Sequence, residues 1–87
     1  MNSILTYKLE EAQNMSGVDQ SFIQQFITEE WIIPADPGKL FLDDEDIERI
    51  KLIWELKEDL GVNDDAVPII LHLIDQLNHL HLVIKKS

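Results

Sequence analysis

Cysteine is absent from all 87 residues, cations are scarce, and no long uncharged apolar run occurs. Without thiols there can be no disulfide framework, thiolate nucleophile or thiolate zinc cluster, and a reducing cytoplasm is the expected setting. Seven Lys and Arg stand against seventeen Asp and Glu, and the formal net charge of −10 works against a phosphate-rich partner. The start, Met1-Asn2-Ser3-Ile4-Leu5-Thr6, has no basic n-region, and no window approaches about twenty apolar residues, so neither secretion nor membrane spanning is expected. Signatures of catalysis are missing too: there is no Gly-rich phosphate loop, nucleophile elbow or HExxH motif, so neither an enzyme nor a cofactor is expected. The acidic run Asp43-Asp44-Glu45-Asp46 lacks the central Gly and terminal Glu of a calcium loop, and the charge preference of a helix start explains it.

What is present is a 45% hydrophobic content arranged in periodic blocks, which argues against disorder despite the charge. The length allows one domain, 1–87; at this size folding hides only about 60–65% of the chain's surface, so modest stability or a partner subunit is expected. Leu9, Ala12 and Met15 share one face of a short first helix, and Ser16-Gly17-Val18 breaks it. Asp19 then caps a second helix whose Phe22, Ile23, Phe26 and Ile27 keep i, i+3, i+4 spacing and read as core. From Trp31 to Leu42, two short β-prone runs flank a Pro37-Gly38 turn and predict a two-stranded wing, with Pro34 keeping it at a sheet edge. Asp43 or Asp44 caps a third helix with Ile47, Ile50 and Trp54 inward, Ile53 and Leu56 widening the stripe, Leu60 at its end and Gly61 as terminator. Asn63 or Asp64 caps the last helix, with Pro68 in its first turn. Val67, Leu71 and Ile74 form a row that can cover the other helices; Ile70, Leu73, Leu77, Leu80 and Ile84 step like a coiled-coil seam and predict a homodimer through this helix. The expected division is a helix-turn-helix over about 8–30, a wing over about 31–42, a third helix over about 44–60 and a C-terminal helix over about 64–85.

This order is that of a mainly helical, MerR-like winged helix-turn-helix with a long C-terminal helix. Tyr7-Lys8-Leu9-Glu10-Glu11-Ala12 through Gly17-Val18-Asp19 resembles the family's opening, and Trp31-Ile32-Ile33-Pro34 sits where the wing begins. Phe41 with Asp43, Asp46, Ile47, Ile50 and Ile53 resembles the wing exit and following helix. Over roughly residues 6–82 the chain is similar to the CbpM chaperone modulators, most tellingly in Ile70-Leu71-His72-Leu73-Ile74-Asp75-Gln76-Leu77-Asn78-His79-Leu80. The resemblance implies a protein that binds the J-domain of a CbpA/DnaJ-type co-chaperone and restrains its work with DnaK. The DNA-facing and effector features typical of MerR proteins are missing.

The charge pattern points the same way. The second helix, Asp19 to Glu30, has no Lys or Arg to neutralise phosphates, although Gln20, Gln24 and Gln25 have the chemistry to read adenine edges; the wing adds Lys39 beside Asp36. Glu45, Glu48, Leu52, Glu55 and Asp59 follow 3- and 4-residue steps, so four carboxylates and one apolar residue share a face of the third helix, a candidate dock for a basic protein. The plainer alternative is a solvated face on which Arg49, Lys51 and Lys57 make intrahelical pairs. Asp19, Glu29, Glu30 and Asp36 form a second acidic set, with Trp31 as either core lid or contact residue. His72, Asp75 and His79 lie near one face at i, i+3, i+7, but His81 points elsewhere and zinc lacks a fourth ligand; an Asp75–His79 pair on a polar strip is the expected reading, with Asp75 also a candidate partner contact. Two other classes remain: a MerR-like regulator that binds DNA as a dimer, and an acidic adaptor or antitoxin-like protein that neutralises another basic protein.

Overall fold

The computed structural model describes residues 5–34, 38 and 40–86, with side chains up to His81. Helix α1 (Leu9–Ser16) starts where the Glu11 carboxylate accepts the Lys8 backbone N–H at 3.1 Å, and it ends at Gly17, whose φ of 75° suits a residue without Cβ. Helix α2 (Gln20–Thr28) is capped by Asp19, whose carboxylate accepts from the Ser21 N–H at 3.0 Å and the Ser21 hydroxyl at 2.6 Å. Ile23 and Phe26 are fully buried, as is Ala12 of α1. Phe22 and Trp54 differ from expectation: Phe22 is 39% exposed and Trp54 half-buried. Their rings meet edge to face at 5.1 Å, an arrangement that shelters two large aromatics at the margin of a core already filled by Ile23, Phe26 and Ile50.

The end of α2 sets the path of the chain beyond it. Glu30 takes the left-handed φ of 62°, its N–H returns to the Ile27 carbonyl at 3.0 Å, and the Trp31 N–H returns to the Phe26 carbonyl at 2.9 Å. This is a Schellman termination with a glutamate in the place usually given to glycine. The Ile32 N–H also points to the Phe26 carbonyl, at 3.4 Å, so the donors a first wing strand would need are committed to the helix end. Among the described residues no two-stranded wing is found; residues 35–37 and 39 of the expected wing, including Asp36 and Lys39, lie outside them. Leu42 instead makes an isolated antiparallel bridge with Tyr7, at 2.6 and 2.9 Å, while Trp31, Ile32 and Leu42 turn into the core.

Helix α3 (Asp44–Trp54) opens with a reciprocal capping box: Asp43 accepts from the Asp46 N–H at 2.9 Å and Asp46 from the Asp43 N–H at 3.1 Å. It runs on into a wider π turn (Glu55–Asp59), closed by the Leu60 N–H on the Glu55 carbonyl at 3.0 Å, before Gly61 at φ 65°. Ile47, Ile50, Ile53 and Leu56 are buried; the wide turn shifts the register beyond them, and Leu60, expected at the end of the apolar stripe, is 71% exposed.

A turn from Asn63, whose carbonyl accepts the Ala66 and Val67 N–H groups at 2.9 and 3.2 Å, leads into helix α4 (Val67–Lys86). Val67 and Leu71 are buried and Ile74 half-buried, so the expected inner row covers the bundle at its N-terminal end. Lys57 braces the junction: its ammonium lies 3.0 Å from Asp64 Oδ1 and 5.5 and 5.8 Å from the Trp31 and Phe26 ring centroids. Among the described residues, no helix is long and apolar enough to cross a membrane.

Candidate functional site

Arg49 joins three elements. Its Nε donates to the Trp31 carbonyl at 2.8 Å, and Nη1 and Nη2 donate to the two oxygens of Asp75 at 3.0 and 3.1 Å, the parallel fork that a planar guanidinium favours. The end of α2, the middle of α3 and the third turn of α4 are thereby locked together. The guanidinium donors hold the Asp75 carboxyl below the usual aspartate value. Arg49 and Lys57 thus cross between elements, to Asp75 and Asp64, where the plainer alternative had intrahelical pairs; Lys51 keeps the local pattern, 3.3 Å from Glu48. Asp75 faces Arg49, not His79 as expected, because the cation supplies two aligned donors.

This clamp forms the base of an open cleft between α3 and α4, with a volume of about 460 Å³. Asp44, Glu45, Glu48, Arg49 and Leu52 line it from α3, and Ile74, Asp75 and Asn78 from α4. A second cleft of about 280 Å³ adjoins it on the Trp31 side, lined by Glu30, Trp31, Ile33, Glu45, Asp46, Arg49 and Asp75. Asp44 accepts the Tyr7 hydroxyl at 2.8 Å, which raises the Tyr7 pKa by favouring its protonated form. Burial raises the carboxyl of Asp46 above its usual value, with the nearby Asp43 charge adding to the effect.

The two acidic sets, separate in the sequence, are partly merged here. Glu45, Glu48, Leu52, Glu30 and Asp75 line the paired clefts, whereas Glu55 and Asp59 stand exposed on the π turn and line neither. Asp19 is occupied as a helix cap, and Glu29 is exposed at the end of α2. Trp31 is 5% exposed, its ring packed 5.8 Å from that of Phe26, so its side chain is a core lid and its carbonyl serves the clamp. Asp44, Arg49, Ile74 and Asn78 join the site without having been expected there. The row Leu71, Ile74, Asp75 and Asn78 at i, i+3, i+4, i+7 could have shown the α4 wall. Among the described residues, no group of three or more acidic or His side chains is placed to hold a metal ion.

Around this site runs the order short helix, turn, second helix, bridged segment, third helix and long last helix. Residues 7–86 match the family described as MerR HTH family regulatory protein. The chain belongs to that family. No curated protein matches it. In this MerR-family chain the second helix exposes Gln24, Gln25 and Thr28, and it offers a duplex no cation along Gln20–Thr28. Beside it lies a shallow cleft of about 290 Å³ lined, among the described residues, by Gln24, Ile27, Thr28 and Leu40.

Proposed function

We propose that this MerR-family chain is a non-catalytic modulator that docks a basic protein surface, the J-domain of a CbpA/DnaJ-type co-chaperone being the partner its CbpM-like segments imply. The observation that carries the reading is the cleft face, where Asp44, Glu45 and Glu48 of α3 line the same cleft as Leu52 and Ile74 in a chain of net charge −10. Such a face attracts cations and repels phosphate, and its apolar centre offers area to bury once a partner has arrived. Modulation would be by occlusion: the covered basic face of the J-domain is no longer free for its Hsp70 partner, DnaK.

Calorimetric titration with a purified J-domain at two salt concentrations tests this. Stoichiometric binding that weakens with salt is expected; absence of heat, together with absence of shifts in a parallel NMR titration, would reject the modulator. A mobility shift with DNA at low salt would then favour the regulator reading, and capture of a different basic protein the adaptor reading.

The outer face of α4 supports a second element of the proposal. Ile69, Leu73, Leu77 and Leu80 are 63, 57, 65 and 55% exposed, and all but Ile69 belong to the expected seam; Ile70, expected to begin it, is half-buried against the core, and Ile84 lies beyond the described side chains. Self-association through this stripe would bury surface that a single copy leaves in water.

A further inference from the structure

We propose that the occupant of the α3–α4 cleft is an amphipathic helix of the partner, inserting one apolar side chain between Leu52 and Ile74 and placing Lys or Arg residues over the adjoining turns, toward the start of α3, against Glu48, Glu45 and Asp44. This rests on the basic-partner reading and says where and how the contact is made. At about 460 Å³ and open to solvent, the cleft exceeds what one side chain fills and suits a segment laid along it. Its apolar contacts come from opposite walls, Leu52 on α3 and Ile74 on α4, and the carboxylates of Glu48, Glu45 and Asp44 continue the α3 wall from Leu52 toward the start of that helix. Glu45 makes no ion pair or hydrogen bond among the described residues, Glu48 has one lysine at 3.3 Å, and Asp44 accepts one tyrosine hydroxyl. Asp75 is the exception: both of its oxygens are held by Arg49, so it shapes the base of the cleft while the other three meet the incoming cations. A second copy of this chain is a poor occupant, since its net charge of −10 would set carboxylates against carboxylates.

The full chain, isotope-labelled, is titrated by NMR with two probes: a helical peptide of Leu–Lys heptads and a purified CbpA-type J-domain. Expected are shifts at the amides of Leu52, Ile74 and Asn78. Glu48→Lys and Asn78→Lys place a cation on each wall at exposed positions, and each should weaken peptide binding about tenfold, while Glu58→Lys, on the π turn and outside the cleft, should cost about threefold or less. Spectral dispersion confirms that each variant is folded. Equal losses for Glu48→Lys and Glu58→Lys, shifts centred elsewhere, or no peptide binding would overturn the cleft assignment. J-domain binding outside the cleft refutes the site and leaves the partner reading standing; peptide binding in the cleft without J-domain binding supports the site and refutes that partner.

Discussion

Replacing Arg49 should cost far more than replacing Asp75, although the two form a single ion pair. The pair is partly exposed, 31% for the Arg49 side chain and 52% for Asp75, so solvent screening limits its contribution to about 0.5–1 kcal/mol. Arg49 also donates through Nε to the carbonyl of buried Trp31. A hydrogen bond from a charged donor contributes roughly 1.5 kcal/mol, and its loss also strands a carbonyl at the helix end. Arg49→Met, which keeps the aliphatic packing, should therefore destabilise by about 2 kcal/mol, close to thirty-fold in the folding constant. Asp75→Asn retains one acceptor oxygen and should cost about 0.5 kcal/mol. Urea unfolding at fixed protein concentration reads both, with unchanged m-values certifying the comparison. The double variant should be less destabilised than the sum of the singles by about 0.5 kcal/mol, the coupling of the pair. Equal losses for the two single variants would show that the Trp31 bond contributes nothing and that the clamp is only a surface ion pair.

Glu30→Gly should stabilise the fold: relieving a left-handed φ recovers about 1–2 kcal/mol and extra chain entropy removes about 0.5–1, leaving a net gain of about 0.5–1 kcal/mol in urea unfolding. The Asp75 carboxyl titrates below its unfolded value, so its stabilisation is complete above about pH 4 and fades as pH falls through the folded value; the stability gap between wild type and Asp75→Asn should close in acid. Asp46 acts with opposite sign: burial raises its carboxyl, so protonation on acidification favours the folded state, and Asp46→Asn should remove that gain from the pH profile. Leu77→Glu, at a position 65% exposed, should abolish concentration-dependent mass in sedimentation without lowering helicity, and an unchanged mass would remove the seam from the proposal.

The fold was legible where one local rule acted alone. Asp19 and Asp43 announce helix starts because a short carboxylate reaches the free N–H groups of the first turn, and Gly17 and Gly61 announce ends because the left-handed region suits them. Legibility failed where distant groups decide. Trp31-Ile32-Ile33 has the composition of a strand, yet its first two N–H groups close the end of α2, and the termination rests on Glu30, a residue no glycine rule would select. In the candidate site, helical spacing placed Glu45, Glu48, Leu52, Glu55 and Asp59 on one face of an unbroken α-helix; the cleft takes in the first three of these, while Glu55 and Asp59 lie on the π turn outside it. Arg49 was hidden for a related reason. An arginine amid acids on a helix has several local partners on paper, and the choice of Asp75, 26 residues away, depends on how α4 crosses α3.

The two surfaces of α4 bear on how binding and self-association would combine. Val67, Leu71, Ile74, Asp75 and Asn78 lie on the side that meets the bundle, whereas Ile69, Leu73, Leu77 and Leu80 are rotated to the other side of the same helix. A homodimer zipped along the outer stripe would leave both clefts uncovered, one in each subunit, because no residue of the outer stripe lines them. Such a dimer would carry two acidic docks joined by a stiff helix pair. A co-chaperone that is itself dimeric and presents two J-domains would then be held twice, and the second contact would form at the high effective concentration that linkage confers. Individually weak, salt-sensitive docks could thereby act as a firm restraint, and disrupting the outer stripe would weaken binding without altering any residue that touches the partner.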